Sequence, residues 1–223
     1  MEKDAVILMA KASLPGLVKT RLCPPFTKAN AAALYACLLK DTAEELSRLA
    51  RTQRYLFFSP PGSEGFFRRD PFSGFARVPQ TGKDLGERMA GAFETAFARG
   101  CTRVALVGAD CPTLSAPLVR AAFRELASSA GAVFGPCNDG GFYLIALSSH
   151  APSLFRGVNW GTDAVLSEVS LRCRAAGLPY SLLPPGFDID TADDVASLFR
   201  WARTRILPAC PRTRRWLTFR GDG

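Results

Sequence analysis

The chain has few of the residues from which most metal and nucleophile sites are built. Its 223 residues include one histidine, His150. Seven cysteines stand at positions 23, 37, 101, 111, 137, 173 and 210, an odd number with no Cys-x-x-Cys among them. That spacing argues against a zinc site. A disulfide framework is not expected in a chain of this size and composition. The thiols read instead as small buried side chains. Cys111 lies beside Asp110, but without a histidine near it in sequence it is a poor nucleophile candidate. No apolar run reaches the roughly 18 residues needed to cross a bilayer. The opening Met1-Glu2-Lys3-Asp4 lacks the basic region and cleavage site of a signal peptide, so a cytoplasmic protein is expected. Gly-x-Gly-x-x-Gly is missing after the first apolar run, which argues against a dinucleotide-binding dehydrogenase. Gly-x-x-x-x-Gly-Lys-Ser/Thr is missing too, which argues against a P-loop NTPase. There is no internal repeat, low-complexity stretch or linker. Residues 1–223 therefore read as one domain with a basic tail from about residue 203.

What is present suits a single α/β domain: 48% hydrophobic residues and 22% charged, enough to bury a substantial core. The net charge is +8, part of it in the tail at Arg203, Arg205, Arg212, Arg214, Arg215 and Arg220. Nucleic-acid binding is one interpretation of that charge. No helix-turn-helix pattern or interleaving of aromatic and basic residues accompanies it, so a solvated basic tail is the better reading.

Strand and helix signals alternate. Residues 5–10, 53–59, 76–79, 104–108, 132–135, 141–147 and 180–183 read as strands. The stretch 60–73, rich in Pro, Gly and charge, reads as a loop or short helical excursion. Helices are expected after the capping residues Thr27, Asp84, Ser115 and Thr191, and from Gly161 or Thr162 to about Ala176. Gly100 sits where a helix C-terminal glycine belongs. The last helix would bury Val195, Leu198, Phe199, Ala202 and Ile206. Alternation at this spacing predicts right-handed βαβ units and a mostly parallel sheet with helices on both faces, a three-layer α/β/α sandwich. The tight turn Asn138-Asp139-Gly140-Gly141 predicts one antiparallel hairpin, so the sheet should be mixed.

Two strand-like runs stop at or border aspartates. Val104–Leu114 contains Val107-Gly108-Ala109-Asp110, and Phe187–Asp194 reads Phe-Asp-Ile-Asp-Thr-Ala-Asp-Asp. Strand ends are where open α/β sheets build ligand sites, so Asp110 and Asp190 should face one another. Two unpaired carboxylates about 4 Å apart repel by about 4 kcal/mol at an effective dielectric near 20. Such a pair normally holds a cation or a proton, and a hard cation would suit phosphate chemistry. Asp188 shares a face with Asp190 if the segment is extended, as metal ligand or support. Thr191 and Asp194 have the spacing of a capping box, and Asp193 suits the helix dipole; both read as structural. The first strand empties into Lys11-Ala-Ser-Leu-Pro15-Gly16-Leu-Val-Lys19-Thr-Arg21, a turn followed by cations. Lysine offers a point charge and arginine a fork to phosphate oxygens, although an exposed basic loop is the plain alternative.

Taken together these segments resemble a family. They are Met-Ala-Lys-x-x-x-Pro-Gly-x-Val-Lys-Thr-Arg-Leu from Met9, Gln-x-Gly-x-Asp-Leu-Gly-Glu-Arg-Met from Gln80, and Gly-x-Asp-Cys-Pro-x-Leu from Gly108. Gly-Pro-x-x-Asp-Gly-Gly-Phe-Tyr-Leu from Gly135, Trp160-x-Thr162 and Asp188-x-Asp-Thr-x-x-Asp complete the set. The chain resembles, over most of its length, the bacterial glycosyltransferase-A-type proteins often labelled selenodomain-associated transferases. More distantly it is similar to phospholactate guanylyltransferases and molybdenum-cofactor nucleotidyltransferases. The resemblance implies a nucleotide-diphospho-sugar transferase fold and a divalent cation, Mg or Mn, held by Asp110 and Asp190. It implies a phosphate-binding loop of Lys11, Pro15, Gly16, Lys19 and Arg21. It places Gln80, Gly82, Asp84 and Leu85 near the base and ribose, with Asn138, Asp139, Gly140 and Gly141 on the acceptor side. Nucleotidyltransferases with a known sugar or cofactor substrate usually carry a longer glycine-rich first loop, where this chain has only Pro15-Gly16.

The expected function is a metal-dependent transferase that uses a nucleotide or nucleotide-sugar donor and an unidentified small-molecule acceptor. Asp110, Asp139, Lys19 and Arg21 are the expected catalytic groups. Asp139 would orient the acceptor or act as general base, though Asn-Asp-Gly is also ordinary turn chemistry. Gly140 and Gly141 would let a ligand approach the backbone. Trp160 would shield an acceptor pocket, and Lys83 and Arg88 could reach phosphate beside the helix start at Asp84. Family labels favour glycosyl transfer, whereas the basic loop favours nucleotidyl transfer. A non-catalytic nucleotide-binding module and a nucleic-acid binder are the alternatives from other classes.

Overall fold

The protein is described by a computed structural model covering residues 3–203 and 210–218. Arg205, Ile206 and Arg220 lie outside the described residues, as does the side chain of Arg203. Among the described residues seven strands form one sheet: β1 (Asp4–Lys11), β2 (Gln53–Ser59), β3 (Ala76–Pro79), β4 (Arg103–Val107), β5 (Ala132–Pro136), β6 (Phe142–Leu147) and β7 (Tyr180–Leu182). Their order is β3-β2-β1-β4-β6-β5-β7. β6 runs antiparallel to β4 and β5, and the other neighbours pair in parallel. The mixed, mostly parallel sheet foreseen in the sequence is present. Its single reversed strand follows from the short turn after β5, too short for a crossover.

Helices cover both faces. α1 (Lys28–Ser47) and α3 (Ala116–Ser128) pack on one; α2 (Leu85–Ala98) and α4 (Val165–Ala175) pack on the other. The period-2 alternation of β1 divides its apolar side chains between them: Val6 and Leu8 join the first layer, Ala5 and Ile7 the second. Full burial of Val6, Leu8 and Ile7 contributes about 1.5–3 kcal/mol each. α5 (Ala192–Arg203) and α6 (Pro211–Thr218) build a third cluster against α1 through Leu34, Leu38, Leu198 and Leu217. The stretch 60–73 contains a short 3-10 turn, Ser63–Phe67. Among the described residues, no helix is long and apolar enough to cross a membrane.

Three local expectations change. The residues read as a solvated tail include α6, whose Arg212 pairs with Asp41 at 3.2 Å and with Glu44. Its start is held by the buried Asp41 carboxylate, which accepts from the N–H and hydroxyl of Thr213 at 2.9 and 2.8 Å. Ser115 stands at the N-cap of α3 but makes no side-chain cap bond. The buried Glu45 does so instead, accepting from the N–H of Ala116 at 3.1 Å. Sequence patterns see caps only within a few residues, and these two come from 71 and 172 residues away. α4 starts at Val165 rather than at Gly161 or Thr162, because Thr162 donates its hydroxyl back to the carbonyl of Asn159 at 2.9 Å. By contrast, Thr27 and Asp84 cap α1 and α2 as read, accepting from Asn30 and Glu87 at 3.2 and 2.8 Å.

Candidate active site

All the parallel strands end at one edge, and β6 begins there. A cleft of about 530 Å³ opens at that edge, walled by the ends of β1 and β4, the first loop and the start of α2. It brings together Lys11, Lys19, Arg21, Gln80, Leu85, Asp110 and Asp190 from the sequence-predicted set. Arg88 and Asp188, the secondary candidates of the sequence, line it too, and Tyr35 joins them. Tyr35 went unread because it sits inside the apolar pattern of α1. Its hydroxyl accepts the N–H of Lys11 at 2.9 Å, fixing the end of β1.

At the centre one cation joins two carboxylates. Lys19 Nζ lies 2.7 Å from Asp110 Oδ2 and 2.6 Å from Asp190 Oδ1, with 6% of the Lys19 side chain exposed. Asp110 and Asp190 do face one another, and the cation between them is the ammonium of Lys19. Burial alone would push that ammonium's pKa down, but Asp110 and Asp190 outweigh it and hold the pKa above the usual lysine range. Lys19 takes a left-handed backbone, φ 49° and ψ 41°, a conformation that costs a non-glycine residue about 1–2 kcal/mol. Arg21 Nη1 stands 3.8 Å from Asp190 Oδ2 with its side chain 74% exposed, so its fork is available to a ligand. The two acidic segments are tied directly, since the N–H of Ile189 donates to the Asp110 carbonyl at 3.1 Å. Gly108 permits the arrangement: a Cβ there would lie 2.8 Å from Asp110 Oδ1.

Asp188 sits deeper. Its Oδ2 accepts the Cys137 thiol at 3.3 Å, and its Oδ1 is buried without a partner. Burial, with the Asp110 charge nearby, pushes its pKa up to about 8. Burial pushes the Cys111 thiol up to about 12, which fits an inert thiol rather than a nucleophile. Asp194 completes the capping box read from sequence: its Oδ2 accepts from Thr191 N–H at 2.7 Å, and Thr191 Oγ1 accepts from Asp194 N–H at 3.3 Å.

The remaining expected residues lie elsewhere. Pro15, Gly16, Gly82 and Asp84 are outside the cleft wall; they shape the loops that carry Lys19 and Leu85. Gln80 is at the wall, but both its amide hydrogens bond backbone, to Ala10 and Phe57 carbonyls at 3.0 and 2.8 Å, joining β1 to β2. Asn138 and Asp139 line an adjoining groove instead of the main cleft. The glycines beside them serve the turn. A Cβ on Gly140 (φ +84°) would lie 1.9 Å from the Asp163 carbonyl, so the close approach is by the chain's own backbone and not by a ligand. Trp160 lines neither the cleft nor the adjoining groove; it stacks on Phe155 and meets Phe142 edge-on.

A doubly covered, mixed sheet with its charged cleft at the strand ends is the fold of nucleotide-diphospho-sugar transferase-like proteins. A candidate nucleotide-diphospho-sugar transferase from Desulfovibrio desulfuricans G20 superposes with a TM-score of 0.88 at 32% identity, covering 100% of this chain and 96% of that one. A 4-diphosphocytidyl-2C-methyl-D-erythritol synthase from Anaerococcus prevotii DSM 20548 superposes at TM-score 0.58 and 12% identity, covering 90% and 96%. A CMP:2-keto-3-deoxy-manno-octonic acid synthetase complexed with CTP does so at 0.54 and 11%, covering 92% and 100%. These two share the fold alone. The chain belongs to the bacterial family DUF2064, described as uncharacterized proteins conserved in bacteria, whose pattern matches residues 42–162. Comparison with curated proteins finds no match.

Proposed function

We propose that the protein is a metal-dependent glycosyltransferase that takes its donor as a nucleotide sugar. The observation that carries this reading is the convergence of Lys11, Lys19 and Arg21 with Asp110 and Asp190 on one cleft at the strand ends. The 32% identical Desulfovibrio relative supports a nucleotide-sugar donor. Among the described residues, no three His, Cys, Asp or Glu side chains are grouped to hold a metal by themselves. Magnesium does not require such a cage, because it is usually bound by one or two carboxylates with substrate phosphates and water. Asp110 and Asp190 offer two such carboxylates, and a metal held by them would take the place between them that Lys19 Nζ holds here, freeing the ammonium for the phosphates. When bound there, Mg or Mn would supply Lewis-acid neutralisation of the leaving diphosphate.

The chain's own residues do the rest. Lys19 remains charged at any physiological pH, and with Lys11 and Arg21 it stabilises negative charge developing on the phosphates. Leu85, 46% exposed in the cleft wall, offers apolar surface to the nucleoside. Asp139 faces the acceptor side, its Oδ1 fixed by the N–H of Gly141 at 3.0 Å.

Thermal shift over nucleotide sugars and nucleoside triphosphates, with and without Mn, tests this. At a hundredfold excess over Kd, binding adds about 2.7 kcal/mol, a rise of roughly 5–10 °C for a chain this long. The expected rise is metal-dependent, selective for one base and lost in Asp110→Asn. A rise that ignores both metal and Asp110 would make the protein a nucleotide-binding module without turnover. Release of pyrophosphate in turnover would replace glycosyl by nucleotidyl transfer.

A further inference from the structure

Beside the main cleft lies a second groove of about 400 Å³, and the two share Arg21, Asp188 and Asp190 as a common wall. A molecule in the groove therefore lies against whatever the cationic loop holds next door. Its lining differs sharply from that of the main cleft. Asp139, Asp188, Asp190 and Asp194 line it, with Arg21 as the single cationic side chain among its described lining residues. Asp190 already contacts Lys19 and Arg21, and Asp194 Oδ2 is occupied by the cap of α5. Asp188, which lies between the two openings, is different: its Oδ1 is buried with no hydrogen-bond partner. A buried acceptor left unmatched is costly, and a ligand donor can relieve that cost. On the other side Phe187 and Trp201 meet edge to face, ring centroids 5.0 Å apart, giving the groove an apolar aromatic flank.

From these features we infer that the groove is the acceptor subsite and takes an uncharged polyhydroxyl compound, rejecting phosphate esters. Hydroxyls donate to the unmatched Asp188 oxygen and to Asp139, and the carbon face of the ligand rests on Phe187 and Trp201. An anion would meet Asp139, Asp190 and Asp194 against Arg21, with Asp188 uncharged at neutral pH, whereas the donor's phosphates belong to the neighbouring cleft, where cations gather. The inference rests on the donor reading above, since it is the donor cleft next door that makes this groove the acceptor side.

Saturation-transfer difference NMR on the full chain tests it, with methyl α-D-glucopyranoside as the neutral probe and glucose 6-phosphate as the charged one. The neutral probe is expected to bind at least tenfold more tightly. Trp201→Ala should abolish its signal, and Ser197→Arg, which places a cation on the α5 wall, should invert the preference toward the phosphate. Ser197→Arg keeps the test open if Trp201→Ala fails to fold. Equal or tighter binding of glucose 6-phosphate to the wild type overturns the inference, as does a neutral-probe signal untouched by either variant, or no signal from either probe. Nucleotide-sugar thermal shifts are read on the same samples. Loss of those shifts while the neutral probe still binds and follows the variants strikes the donor reading alone.

Discussion

The molecule gathers carboxylates in two places and treats them in opposite ways. On α1, Asp41 accepts from the backbone and hydroxyl of Thr213 and the backbone and guanidinium of Arg212. One helical turn on, Glu45 holds the start of α3 and the guanidinium of Arg48. Neither side chain lines the cleft or the groove; apart from the Glu45–Arg48 pair at the end of α1 itself, their contacts fasten one helix to another. At the sheet edge, Asp110 and Asp190 share one lysine, and Asp188 has one thiol and an oxygen without a partner. Burial of an acid is thus no sign of a site in itself. Unmet acceptor capacity beside an opening is the better sign, and only the second cluster has it.

Substitutions can break or sharpen that contrast. The largest effect is expected from Asp41→Ala, which leaves the Thr213 donors buried and unmatched. A loss of about 3 kcal/mol follows, read by urea denaturation, with nucleotide affinity of the folded protein unchanged. Asp110→Asn should do the reverse: turnover falls about 10²-fold, of order 2.7 kcal/mol in the barrier, while the urea midpoint moves little. If Asp110→Asn unfolds the protein, or Asp41→Ala silences a still-folded one, the contrast is lost. Asp188 provides a pH test in metal-free protein. Its pKa is raised from 3.8 to about 8 in the fold, so the native state holds the proton that the unfolded chain releases. The stability this confers is complete below about pH 4 and is lost as pH rises toward 8. Asp188→Asn should flatten the stability profile across that window and leave the protein more stable than wild type at pH 8; an unchanged profile contradicts the assignment. The smallest effect is expected for Glu45→Gln, which keeps an oxygen for the Ala116 N–H but loses the charge, costing about 1 kcal/mol in the same denaturation assay.

The fold was legible wherever its cause is local. All seven strands and the hairpin announce themselves through apolar runs and the Asn-Asp-Gly-Gly turn, and the Thr191–Asp194 capping box is visible from spacing alone. The caps supplied by Asp41 and Glu45 are not, because their partners lie far along the chain and become neighbours only after packing. The site divides in the same way. Asp110, Asp190 and the cationic loop could be placed at strand ends from topology. That Lys19 would sit between the two carboxylates depends on its left-handed backbone and on contacts spanning 91 and 171 residues, which no pattern encodes. Asp188 reads from sequence as metal ligand or support, and only the structure reveals its unpartnered oxygen. Gly140 was misread for the converse reason: the turn signal was correct, but what crowds it is the Asp163 carbonyl from a distant loop.

The one reversed strand has an evolutionary corollary. Because β6 runs against β4 and β5, the chain revisits the reactive edge through a turn of a few residues instead of a helix-long excursion. That turn carries Asn138 and Asp139, while the segments bearing Asp110 and Asp190 are laced to each other by their own main chain. If the groove is the acceptor side proposed above, substrate choice there can diversify by editing a hairpin tip, with the Asp110 and Asp190 segments left undisturbed.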